Sequence, residues 1–139
     1  MKEENEMRKT VFTLLLALML LICLTGCSRY SSHYSALMIV HSNTSSSSYM
    51  SFSSFNGTKT FKMNCKNASG GLLEYSAKLE TGSATVYYDH DGNKTELFTI
   101  RGGEEIKGTA VPVTAGPVYV IVETNEKCKE GKFDFNLKQ

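Results

Sequence analysis

The sequence predicts an all-β domain, a small antiparallel β-sandwich of about eight short strands, and three observations predict it. From residue 49 onward apolar and polar residues alternate with period two in run after run. Clusters of Gly, Asn, Asp and Pro separate these runs at near-regular spacing. No window outside the N-terminal apolar run sustains a helical period. Alternation and turn chemistry point to the same answer, which is how a sequence specifies one fold.

The elements follow in order. Residues 49–55 and 58–66 flank Asn56-Gly57, and Asn-Gly between extended runs predicts a hairpin because both residues accept positive φ. Phe61, Met63 and Cys65 alternate with Lys62 and Asn64, so one face is apolar. Residues 67–71 are loop by composition. Leu73, Tyr75, Ala77 and Leu79 form the next inward face, and Thr81-Gly82-Ser83 is expected to turn the chain. Ala84, Val86 and Tyr88 face inward before a turn at residues 89–93, and Phe98 and Ile100 do so before Gly102-Gly103. Residues 105–114 read as an edge strand, since Pro112 cannot donate to a ladder. Val118, Val120 and Val122 form the clearest strand, residues 125–131 a charged loop, and Phe133, Phe135 and Leu137 the last inward face.

The N-terminal third reads differently. The basic pair Arg8-Lys9 precedes an apolar run from Val11 to Leu24, too short for the ~20 residues of a membrane span and fitted to an export signal. Glu3, Glu4 and Glu6 dilute the positive head, and Met7 would give a cleaner start than Met1. The run ends in Leu24-Thr25-Gly26-Cys27, which resembles the lipobox of bacterial lipoproteins. The resemblance implies cleavage before Cys27, a diacylglyceryl group on its thiol, and a place at the extracytoplasmic face of the cell membrane. Ser28 suits delivery to an outer membrane where the cell has one. The division is then a signal peptide at 1–26, a tether at 27–48 rich in serine, and a sandwich domain at 49–139. Serine-rich polar sequence buries too little to offset its ordering entropy. Ala36-Leu37-Met38-Ile39-Val40 interrupts it and is either a strand docked on the domain or part of the tether.

The domain itself is similar to small jelly-roll modules of the pre-peptidase C-terminal type. The likeness rests on the early strand Thr60-Phe61-Lys62-Met63-Asn64-Cys65-Lys66, the final Gly131-Lys132-Phe133-Asp134-Phe135 and the turn Tyr87-Tyr88-Asp89-His90-Asp91-Gly92. It implies a fold more than an activity.

Processing changes the cysteine arithmetic. Cys23 lies in the discarded run and Cys27 takes the lipid, leaving Cys65 and Cys128 as a pair in an exported setting. If the strand ending at Cys65 pairs antiparallel with the final strand from Lys132, the two lie side by side. A Cys65–Cys128 disulfide is therefore expected.

Formal charge is +1 and no block of like charge exists, which argues against a nucleic-acid partner. No Gly-x-Ser-x-Gly elbow or framed nucleophile–base pair is present, so no catalytic residue is assigned. Asp89, Asp91 and Asn93 partly imitate a calcium loop, but Gly92 comes too early for that spacing, and a β-turn explains them. No metal or cofactor is assigned. Tyr87, Tyr119 and Ile121 alternate with core residues and are the candidate ligand face on an outer sheet surface, suited to a glycan or protein partner. The sequence thus reads as a non-enzymatic, lipid-anchored surface protein presenting a binding or spacer module. The rival reading is a calcium- or carbohydrate-binding accessory module of a larger exported enzyme or transporter.

Overall fold

The computed structural model describes residues 2–23 and 29–139, with side-chain environments at 2–19 and 29–139. Two compact units form, one ending at Tyr30 and one beginning at Ser31. The first holds helix α1 (Lys2–Cys23), whose apolar side chains from Val11 to Met19 are exposed. No helix among the described residues is long and apolar enough to cross a membrane. The lipobox, Leu24 to Cys27, lies outside the described residues.

The second unit is all β. It contains β1 (His33–Leu37), β2 (Val40–Asn43), β3 (Ser47–Cys65), β4 (Gly71–Asp89), β5 (Thr95–Arg101), β6 (Glu105–Val113) and β7 (Gly116–Lys138). All pairings are antiparallel. Three strands, β3, β4 and β7, are long and bend midway, so each serves two layers. In the first layer residues 47–55 of β3, 128–138 of β7 and 72–81 of β4 run side by side, flanked by β2 and β6. In the second layer residues 58–65, 116–123 and 84–89 do the same, with β5 at the far edge. β1 lies along the bend of β3, opposite residues 54–58. The result is one hydrogen-bonded sheet folded into a sandwich.

Aromatic contacts show the two layers face to face. Phe61 and Phe98 of the second layer meet Phe135 and Phe133 of the first, with ring centroids 6.3 and 6.5 Å apart. Tyr75 stacks on Phe98 at 5.1 Å. Every inward residue expected from the alternation between Phe61 and Leu137 lies in this core or packs on it.

The bends correct three expectations. Asn56-Gly57, Thr81-Gly82-Ser83 and residues 125–131 do not turn the chain; they lie within β3, β4 and β7. Residues 124–127 of β7 stand opposite Asn56 and Gly57 alone, and the register shifts on both sides of this line. In β3 the buried set switches from Met50 and Phe52 to Phe61 and Met63, and in β4 from Ala77 and Leu79 to Ala84 and Val86. A bulge residue produces that change of parity, because it lets the same side stay inward after the strand bends. Gly57 (φ 131°) and Gly82 (φ 98°) supply the backbone. A Cβ on Gly57 would strike the His33 carbonyl oxygen, and one on Gly82 the Lys127 carbonyl oxygen.

Two further expectations are corrected. The serine-rich stretch is not a tether: from Ser31 it belongs to the compact unit, as β1, β2 and the start of β3. Ser48 and Ser54 are even buried, because they alternate in phase with Met50 and Phe52 on the inward face of β3. The Cys65–Cys128 disulfide is absent, and both thiols are free and buried. Cys65 does sit opposite the start of the last strand, but that strand starts at Gly116. Cys128 lies opposite Phe55, so ten residues of β3, roughly 30 Å of extended chain, separate the two positions.

Candidate functional site

The outer face of the first layer carries a broad depression. Its bed is the set of side chains that alternate outward from the core: Ser47 and Tyr49 on β3, Asp134 and Asn136 on β7, Glu74 and Ser76 on β4. Register brings them together, since Tyr49 pairs with Asp134, which pairs with Ser76, and Asn136 bridges Ser47 and Glu74. Gly108 to Ala110 of β6 form one wall, and the volume is about 530 Å³. Two smaller clefts, about 270 and 340 Å³, continue it along the strands past Lys132 and Lys78 to Glu130 and Glu80. Shared residues Ser76 and Asp134, then Lys78 and Lys132, make them one trough.

The trough mixes polar side chains with apolar surface and carries the half-buried ring of Tyr49. Lys132 Nζ lies 5.6 Å from the Tyr49 ring centroid and 3.9 Å from Asp134 Oδ2. Lys138 Nζ approaches Glu74 Oε2 at 4.0 Å. These pairs are loose and half-exposed, so each carboxylate keeps oxygens free to accept new hydrogen bonds. Carboxylates, an amide, hydroxyls and a ring edge together suit a ligand rich in hydroxyl groups.

Tyr87, Tyr119 and Ile121 meet on the outer face of the second layer, where Ile121 pairs with Tyr87 and Tyr119 with Asp89. Ile121 is only 1% exposed and sits outside the contiguous core, covered on this face by its neighbours. Both tyrosines lie beside lysines. Lys94 Nζ is 4.4 Å from the Tyr87 centroid while donating to Glu123 Oε1 at 2.7 Å, and Lys62 Nζ is 5.9 Å from Tyr119. This face is therefore a filled cation–π surface, its rings already occupied by the chain's own lysines.

The turn after β4 uses its polar side chains internally. Asp89 is buried and accepts from the Gly92 amide at 2.8 Å; Asp91 accepts from the Asn93 amide at 3.1 Å. His90 Nδ1 accepts from the Thr114 amide at 3.0 Å, which leaves its proton on Nε2, and Thr114 Oγ1 donates to the His90 carbonyl at 2.9 Å. The turn is thereby locked to the end of β6. No group of three His, Cys, Asp or Glu that could hold a metal ion gathers among the described residues.

The Cys128 thiol is poorly suited to chemistry. Burial pushes the Cys128 thiol up to about 11, with Ser83's carbonyl contact opposing and Glu126 reinforcing the shift. Its sulfur contacts the Ser83 and Glu126 carbonyl oxygens at 3.5 and 3.3 Å. It is a protonated, inward side chain near neutral pH, whereas a nucleophilic cysteine needs a thiolate.

The trough escapes sequence reasoning for a definite reason. Ser47 and Tyr49 border a stretch whose composition suggests a tether, and the other residues come from strands whose pairing no local pattern specifies. The outward alternation of Glu74, Ser76, Asp134 and Asn136 is visible in the sequence; their meeting is a matter of register.

No known protein family matches this sequence, and no curated protein matches it either. Among solved structures the chain is similar to a family 29 carbohydrate-binding module bound to mannohexaose. The identity there is 14%, over 78% of this chain and 91% of that one, with a TM-score of 0.41. It is similar to TmCBM61 with β-1,4-galactotriose at 11% identity over 78% and 70%, TM-score 0.38. A cupin superfamily protein from Desulfitobacterium hafniense overlaps at 14% identity over 81% and 83%, TM-score 0.32. The sugars are ligands of those proteins.

Proposed function

We propose that this chain is a non-enzymatic lipoprotein whose sandwich presents the trough on its first layer as a glycan-binding surface outside the cell membrane. The trough carries the reading: Tyr49, Glu74, Asp134 and Asn136 form a polar bed of the kind that accepts and donates to sugar hydroxyls. Its mixed charge disfavours a polyanion such as a nucleic acid. The lipobox supports the anchor, with residues 1–26 removed and Cys27 acylated. Two acyl chains hold a protein stably where one is marginal, at about 0.8 kcal/mol per buried CH₂. The use of Asp89 and Asp91 inside their own turn favours this reading over a calcium module.

The test uses mature protein extracted from membranes. Mass spectrometry should find an N-terminal Cys27 carrying acyl mass, and Cys27→Ser should leave an uncut chain. A glycan array should retain the protein on extended neutral or acetylated glycans. Tyr49→Ala and Asp134→Ala should each weaken retention about tenfold, or ~1.4 kcal/mol, without changing the melting temperature. Retention indifferent to both changes would move the site elsewhere, and none on any glycan would discard the ligand class.

A further inference from the structure

The chain from Arg29 to Lys59 contains no Asp, Glu, Lys or Arg between those two residues. The structure gathers much of this uncharged segment at one edge of the sandwich, as β1, β2 and the strand they pair with. At the turn between β1 and β2, Leu37, Met38 and Val40 are 66, 82 and 62% exposed, while Ala36 and Ile39 pack inward. Met38 holds a left-handed backbone (φ 50°), uncommon for a side chain of this kind. The tip is thus an apolar knob, and Met38 on one side lines a cleft with the charged residues Lys78, Glu80, Glu130 and Lys132.

Chain length joins this edge to the anchor. The compact unit begins at Ser31, which together with Ser32 is bonded to Thr60: Thr60 N–H donates to Ser32 Oγ at 2.9 Å and Thr60 Oγ1 to the Ser31 carbonyl at 3.3 Å. From Cys27 to Ser31 even a fully extended chain reaches only ~14 Å. A lipid on Cys27 keeps Ser31 and Thr60 within that reach of the bilayer, with the β1–β2 turn one strand length further along the same edge.

We propose that the β1–β2 edge is a membrane-contacting surface, its Leu37-Met38-Val40 knob entering the interface of the bilayer that holds the Cys27 lipid. The inference rests on that anchor. Apolar side chains gain by leaving water there, and β1, the turn and β2 themselves carry no formal charge to desolvate. Tyr34, His33 and His41 flank the knob, and tyrosine favours the headgroup level.

The test uses the mature lipidated protein in vesicles of phosphatidylethanolamine and phosphatidylglycerol, with Met38→Cys carrying an environment-sensitive fluorophore. Emission should shift to the blue and brighten several-fold, and quenchers in the acyl region should reach it. A fluorophore at Lys107→Cys, on the opposite edge, should stay in water. Confirmed acyl mass on Cys27 with a water-exposed label at position 38 overturns this inference and leaves the anchor intact. Absence of acyl mass overturns both. Protection that grows with protein density at fixed lipid would assign the edge to a second copy and also overturn it.

Discussion

The Cys128 sulfur is enclosed between the Ser83 and Glu126 carbonyls, with none of its surface exposed. Its thiol is raised from 9.0 to about 11, so folding favours the protonated form. The linkage has one sign: between pH 9 and 11 the unfolded chain loses this proton first, and stability falls as pH rises. The contribution is complete below pH 9 and gone above 11. Denaturant titrations of wild type and Cys128→Ala should show their difference narrowing by at most about 2.5 kcal/mol across that window. A constant difference would mean the site is wet. Cys65 and Cys128 should both react with an alkylating agent only when the protein is unfolded, with no reductant needed. Their spacing shows the limit of reasoning from cysteine number. Both thiols do lie in the sandwich, but the distance between them is set by which half of a long strand each one faces.

At the level of elements, the bend line carries the architecture. Gly57 and Gly82 each need positive φ and each lies against a backbone carbonyl that a side chain would strike. Gly57→Ala and Gly82→Ala should each destabilise by roughly 3 kcal/mol, combining a strained φ with displaced strands. A melting curve within about a degree of wild type for either would mean the bend is made elsewhere. Phe133 packs on Phe52 within its own layer and on Phe98 across to the other, and Phe133→Ala should cost about 3–5 kcal/mol in a denaturant titration. The inward faces are legible because period-two alternation survives within each half strand. The bends mislead because Asn56-Gly57 and Thr81-Gly82-Ser83 have the same chemistry as hairpin turns: both structures require positive φ. Only pairing tells a bulge from a turn, and pairing is not local. The true turn at residues 89–93 is legible because Asp89 and Asp91 bond its own amides. The trough is illegible for the same reason as the bends, since Tyr49, Ser76 and Asp134 are neighbours only through register.

For the whole molecule the decisive fact is that the serine-rich N-terminal segment is structural. Serine composition suggests a tether, yet Met50, Phe52 and Phe55 are interleaved with the serines and buried in the core. Those apolar residues offset the ordering cost that the serines alone could not. β1 and β2 then cover the outer edge of β3, whose amides and carbonyls would otherwise be open to another chain. Two measurements follow. Hydrogen exchange on the mature protein should show amides of residues 47–55 protected as strongly as their partners at 128–136, whereas a flexible tether would exchange within the dead time. A chain lacking residues 31–43 should keep the long strands but present β3 as a bare edge. It should melt at lower temperature and associate through that edge, giving light scattering that rises with concentration. Monomeric behaviour with unchanged melting would show that the first two strands are dispensable, and the N-terminal edge would lose its claim to be part of the fold.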